Sequence, residues 1–189
     1  LQPEIKAAFE AQVEKLKVHG YSVEGVDFPY IDQLLPTYYV LTTAESSSNL
    51  SRFDGVKFGH RTSNPLDLMQ LYKRTRQEGF GAEVQRRIML GTFVLSADYY
   101  DAYYTKAQKV RRLIQDRTLA ILAEYDFIIS PTTSSTAYRL GEKTLDPIQM
   151  YLGDLFTVQA NVAGIPLKMQ VESMQVEIGP DNSEVIRVN

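Results

Sequence analysis

Cysteine is absent from the 189 residues, so neither a disulfide framework nor a thiolate metal site is open to this chain, and the bias is towards a reducing or redox-indifferent compartment. Histidine is scarce. His19 and His60 stand too far apart in sequence to suggest a metal motif. No apolar run approaches the ~20 residues that a membrane-spanning helix requires. Residues 1–20 carry charges throughout and have no apolar centre of the signal-peptide kind. A large excess of one charge is missing too: 20 basic residues face 23 acidic ones, for a net charge of −3, which argues against broad nucleic-acid or membrane binding driven by this chain alone. The expectation is a cytoplasmic protein with no metal site and no membrane contact.

What is present is a globular composition, 44% hydrophobic and 23% charged, long enough to bury one core of ordinary domain size. Pro3 followed by Ile5, Phe9, Val13 and Leu16 at helical spacing, with Gly20 as a stop, predicts an amphipathic first helix. "YSVEGVDF" (21–28) alternates as a short strand would. Residues 31–50 read as helical despite Pro36, and a polar loop then leads to a short helix over about 66–77. "GFGAEVQRRIMLGTFVLS" (79–96) is apolar on nearly every side after Val84, which predicts a buried helix. Residues 98–125 predict a long amphipathic helix with Tyr103, Ala107, Val110, Ile114 and Ile121 on one stripe. "DFIISPTT" (126–133) reads as a buried strand. Asp146 and Pro147 predict the start of a helix whose apolar side is Ile148, Leu152, Leu155, Val158 and Val162, ended by "AGIP". Beyond Leu167, Met169 and Val171, then Val176 and Ile178, and finally "EVIRV" after the turn signal "GPDN" read as strands.

Three strings carry a resemblance: "PTYYVLTTAESSSNLSRFDGVKFG", "EGFGAEVQRRIMLGTFVLSADYYDAYYTKAQKVR" and "DPIQMYLGDLFTVQANVAGIP". They resemble consecutive segments of the amidase-signature family, and within it the A subunits of Asp/Glu-tRNA amidotransferases. The resemblance implies an α/β fold, a mixed sheet flanked by helices, of which residues 1–189 are the C-terminal half of one domain. It implies a glutaminase that supplies ammonia, with subunits B and C of a heterotrimer, for converting glutamate or aspartate misacylated on tRNA to the amide. ATP and Mg belong to the partner subunit in that scheme. After Gly164-Ile165-Pro166 the family continues into a Ser-x-Pro strand, whereas this chain passes directly to "LKMQV", which suggests residues missing between Pro166 and Leu167.

The family's nucleophilic serine, second serine and lysine lie in a segment whose serines sit in a Gly-Ser-rich core. Here no glycine is followed by glycine or serine, so no catalytic residue is assigned and the chain alone is expected to be inactive. Ser46, Ser47 and Ser48 are not a substitute. A serine becomes a nucleophile only with a base in hydrogen-bond reach and donors for the oxyanion, and the nearest histidine in sequence, His60, lies beyond a turn. They read as small packing and capping residues, with Asn49 and Asp54 shaping the turn that follows.

Recognition of glutamine is what this half can supply. An α-amino acid needs a cation for its carboxylate and an anion for its ammonium, and the planar fork of arginine suits the first. By motif, the resemblance assigns these roles to Arg87 and Asp154, with Tyr38 of "PTYY" beside them; Arg86 and Tyr39 stand as alternatives. Arg87 is also the polar intruder on the stripe Val84, Ile88, Gly91, Val94 and Leu95, and a charge there needs a partner. Spacing alone offers a plainer account, an ion pair with Glu83 one turn earlier. Asp154 taken alone reads as a solvated charge near Thr157 and Asn161, and the tyrosines as core aromatics. "YYDAYY" (99–104) sets two aromatic rows along one helix, for core packing or a subunit contact. A freestanding amidase of the same family and a catalytically dead scaffold are the competing functions.

Overall fold

Periodic apolar spacing becomes five main helices in the computed structural model, which describes residues 1–138 and 153–164 and the backbone of residues 175–178 and 184–187. Helix α1 spans Pro3–Val18, with Pro3 in its first turn, Glu4 near the positive end of its dipole and Lys15 and Lys17 near the negative end. Its predicted stripe of Ile5, Phe9, Val13 and Leu16 is the inner face, but each of these residues is half-buried and none is fully covered. Residues 21–28, expected as a strand, are irregular. A strand needs a ladder partner for its backbone groups. Here Asp27 offers its carbonyl to Arg117 Nη2 at 3.0 Å, and Glu24 accepts from the Tyr125 hydroxyl at 3.0 Å.

Helix α2, Ile31–Leu50, is the centre of the described structure. Pro36 lies inside it and removes one backbone donor. Further along, hydroxyls bond back to the preceding turn: Thr42 to the Tyr38 carbonyl, Thr43 to that of Tyr39 and Ser46 to that of Thr42. Asp67 caps helix α3, Leu68–Gly79, by accepting from the Gln70 amide at 2.7 Å. The turn-rich segment before it is tied down by Asp54, whose Oδ1 accepts from the amides of Val56 and Lys57, and by Arg76, which donates to the carbonyls of Leu50 and Phe53.

Helix α4, Ala82–Val94, was expected to be buried all round, yet only Gly91 and Val94 are. Met89 is 73% exposed, and Leu90 and Phe93 are exposed as well. One side of α4 meets α2, and no described element covers the side that carries Met89. A π-helical turn, Tyr100–Thr105, runs directly into helix α5, Lys106–Glu124, as the long predicted helix requires. Ala107, Ile114, Thr118 and Ile121 form the buried side of α5. Residues 126–133, expected as a buried strand, are irregular, with 126–130 exposed, Phe127 62% accessible, and Pro131 and Thr133 half-buried.

Residues 146–152 lie outside the described residues. Residues 153–157, expected to be helical, form turns, and only Val158–Ala163 is helical, as α6. Gly164 ends it at φ +57°, the left-handed conformation that glycine adopts without steric cost. The open carbonyls of this short helix are satisfied from α5: Arg111 Nε donates to Val162 O at 3.0 Å and Gln115 Nε2 to Ala163 O at 2.7 Å. The core gathers Leu34 of α2, Ile114 of α5 and Val158, Val162 and Ala163 of α6, with Phe28, Tyr30, Leu35, Tyr38 and Val110 packed against it. Strands β1, Gln175–Ile178, and β2, Glu184–Arg187, pair antiparallel with Val176 opposite Ile186. Met169, Val171, the 179–182 turn and the Pro166–Leu167 junction lie outside the described residues. The described chain is thus mostly helical.

Candidate amino-acid recognition site

The α2–α4 crossing sets the geometry. A Cβ on Gly91 would stand 1.9 Å from the Thr43 carbonyl oxygen and 2.7 Å from Ser47 Cβ, so the helices meet backbone to side chain where α4 has none. Nearby, Ser47 Oγ and Thr92 Oγ1 share a hydrogen bond of 2.9 Å. One turn back on both helices, Arg87 reaches Tyr39, with its guanidinium carbon 5.7 Å from the ring centroid, within cation–π range. Glycine at position 91 therefore gives room to the α2 backbone, and that close approach brings Arg87 to Tyr39.

Asp154 comes from the turn before α6. The Tyr39 hydroxyl donates to its Oδ2 at 3.1 Å, joining residues from distant parts of the described chain. Tyr39 is the shared neighbour of the cation and the anion. Burial, followed by the hydrogen bond to Asp154 and that residue's negative charge, pushes the phenol well above its usual range, with Arg87 opposing. The hydroxyl is therefore held as a neutral donor.

Of the residues predicted from sequence, Arg87 and Asp154 are brought into contact with one side chain. Tyr38 stands beside it, its ring edge-on to Tyr39 at 5.2 Å and packed against the core. Tyr39, the alternative in sequence, makes the polar contacts. The plain account of Arg87 holds as well: its Nε donates to Glu83 Oε1 at 3.0 Å. Arg86 pairs with the other Glu83 oxygen, but its side chain is 56% exposed against 33% for Arg87. Glu83 thus pairs with Arg87, as its one-turn spacing signalled.

The serines serve structure. Ser46 Oγ donates to the Thr42 carbonyl at 2.7 Å, Ser47 bonds Thr92, and the Ser48 carbonyl accepts from Ser51 Oγ. His60 lies against Glu78 at 3.0 Å, where it holds the loop before α3 and, with Thr62, keeps the Glu78 carboxyl below its usual range. The rows of "YYDAYY" appear as Tyr99 and Tyr103 clustered with Phe93, at centroid distances of 4.3 and 5.6 Å from it, and Tyr100 on Tyr104 at 5.0 Å. Among the described residues no His, Asp or Glu side chains gather as a metal site, and no helix is long and apolar enough to cross a membrane.

Comparison with known proteins places the chain in a family. The chain is 55% identical over 166 residues to the A subunit of the glutamyl-tRNA(Gln) amidotransferase of Azotobacter vinelandii, an alignment covering 88% of this chain and 34% of that protein. It is 56% identical over 156 residues to the A subunit of the same name from Ectopseudomonas mendocina, covering 82% of this chain and 32% of the relative. For the A subunit of Acinetobacter baumannii (strain AYE) the identity is 52% over 166 residues, covering 88% and 34%. The chain therefore spans about a third of the length of the curated relatives it matches. Residues 1–179 match the model of the Amidase family, and with nearly the whole sequence inside that match, the chain belongs to the amidase family.

Proposed function

We propose that this chain is the glutamine-recognising portion of the glutaminase subunit of a tRNA-dependent amidotransferase. The observation that carries the reading is the convergence of Arg87 and Asp154 on Tyr39, a cation and an anion set one aromatic ring apart as the two ends of an α-amino acid require. Relatives named as A subunits of glutamyl-tRNA(Gln) amidotransferase support the same reading. In it Arg87 takes the substrate carboxylate, Asp154 the ammonium, and Tyr38 lines the site beside Tyr39. The amide is attacked by a serine and lysine machinery outside these residues, on a mixed sheet that the helices described above would flank.

The released ammonia would pass to a partner subunit, where ATP and Mg support amide formation on misacylated tRNA, with subunits B and C completing a cytoplasmic heterotrimer. The test is glutamine hydrolysis by the full-length protein, first by itself and then assembled with its partners, measured together with amide formation on misacylated tRNA. Glutaminase activity that is coupled to amidation in the assembly is expected. Hydrolysis of simple amides in preference to glutamine, with no effect of the partners, would instead identify a freestanding amidase.

A further inference from the structure

Asp154 and Arg87 both contact a residue that the motif match did not select, the first by a hydrogen bond and the second over its ring. We propose that Tyr39 is a positioning residue for glutamine recognition: its hydroxyl holds the Asp154 carboxylate and its ring face carries the Arg87 guanidinium, so that one side chain fixes the spacing of both charges. This rests on the glutamine reading above and deepens it.

Each half of the arrangement has its own support. Asp154 lies in a turn and not within a regular helix, and its backbone carbonyl accepts from the amides of Thr157 and Val158 at 3.1 Å. Those bonds hold the main chain and leave the carboxylate direction to be set by its own contacts, of which the 3.1 Å bond from Tyr39 is one. Arg87 is restrained from two directions, by Glu83 on its Nε edge and by the Tyr39 ring below its plane. The main chain of Tyr39 is held within α2. Its carbonyl accepts from Thr43 Oγ1 at 2.6 Å, and the neighbouring Tyr38 is anchored in the core.

The chemistry of the side chain fits the task. A phenol donates one hydrogen bond to a carboxylate without neutralising its charge, whereas a lysine there would compete with the substrate ammonium for Asp154. A phenylalanine would keep the ring under Arg87 and lose the donor. Because the hydroxyl stays protonated beyond its usual range, the donor persists across the neutral and moderately alkaline region.

The alternative is that Tyr39 merely ties α2 to the 153–157 turn. The two roles separate in the assembled full-length enzyme through the KM for glutamine, kcat and thermal stability of Tyr39→Phe, Tyr39→Leu, Asp154→Asn and the Tyr39→Phe/Asp154→Asn pair. A hydrogen bond to a charged group carries about a factor of ten or somewhat more in affinity. Tyr39→Phe is therefore expected to raise KM roughly tenfold with kcat and melting temperature little changed. Tyr39→Leu, which also removes the ring, should raise it further. Tyr39→Phe should add little in the Asp154→Asn background, since the bond is already weakened there.

If Asp154→Asn raises KM while Tyr39→Phe matches the parent, the positioning role is overturned and the glutamine site stands. If Asp154→Asn and Arg87→Ala both leave KM untouched, the glutamine site itself fails and Tyr39 has nothing to position. A lowered melting temperature in Tyr39→Phe, with equal loss of activity towards glutamine and free ammonia, would make it a tether only and overturn the proposal.

Discussion

Gly91 sits against Thr43 so closely that a Cβ at position 91 would lie 1.9 Å from the Thr43 carbonyl oxygen. That atom is backbone in the middle of α2, so it cannot swing aside as a side chain could. The contact fixes the distance between α2 and α4, and with it the distance between Tyr39 and Arg87 one turn away.

Gly91→Ala in the full-length protein should therefore destabilise. Alanine gains about 1 kcal/mol of helix propensity over glycine, but forcing the helices apart costs about 1–3 kcal/mol or more where the core cannot yield. The expected outcome is a lower midpoint of denaturation together with a raised KM for glutamine, because the separation also draws Arg87 from Tyr39. A midpoint equal to or above that of the parent would show that the helices are not in contact at this point.

The three consecutive serines yield the opposite expectation. Ser46 and Ser47 have their hydroxyls engaged within α2 and across to Thr92. The combined replacement Ser46→Ala/Ser47→Ala/Ser48→Ala should leave glutaminase kcat in the full enzyme within about a factor of three, since no activated nucleophile is removed. The 189-residue chain alone should show no turnover. Loss of activity by several orders of magnitude in the triple variant, at unchanged stability, would place the nucleophile in α2 after all.

Tyr39 makes a pH-dependent contribution whose sign is fixed. Its phenol is raised above the ordinary value of 10.0, so the folded protein holds this proton more tightly than the unfolded chain does. The associated stability is complete below about pH 10 and is lost as pH rises from there through the folded value. Ultraviolet titration of the parent against Tyr39→Phe should show the missing phenol as one that ionises above the usual tyrosine range. A difference that titrates at or below about pH 10 would mean that Tyr39 is neither buried nor bonded to Asp154 in solution as described.

How much of this was legible in the sequence depends on whether the information was local. The apolar spacing of 98–125 and the stretch 31–50 produced helices because each is specified by its own turn-to-turn neighbours, and the short helix expected over about 66–77 forms over Leu68–Gly79, its start set by the Asp67 cap. Residues 21–28 and 126–133 have strand-like patterns, but a strand exists only with a partner, and no described segment pairs with them. Apolar residues around α4 suggested burial, yet Met89 and Leu90 are left exposed among the described residues. Arg87 and Asp154 were found through motif likeness; their meeting at Tyr39 was not readable from spacing. Adjacent helix positions 38 and 39 point about 100° apart, and two tyrosines in a row give no internal sign of which faces the core.

Arg87 carries the prediction that separates function from structure. If it grips the carboxylate of glutamine, Arg87→Ala should cost about 2–4 kcal/mol in kcat/KM, because a charge-assisted pair is lost and the substrate carboxylate is left unmatched. Arg87→Lys should recover only part of this, since an ammonium retains the charge but not the planar fork. Free ammonia bypasses glutamine, so amide formation from ammonia in the assembled enzyme should stay near the parent rate in both variants. The structural alternative is an ion pair between Arg87 and Glu83 at 3.0 Å. Both side chains are partly exposed, so that pair is expected to stabilise the helix by about 0.3–0.5 kcal/mol at most. Its loss would lower the melting temperature slightly and affect both nitrogen donors alike. The ratio of glutamine-dependent to ammonia-dependent rates in Arg87→Ala therefore decides between them. A fall in that ratio of roughly thirtyfold or more assigns Arg87 to the substrate, and an unchanged ratio removes it from the site.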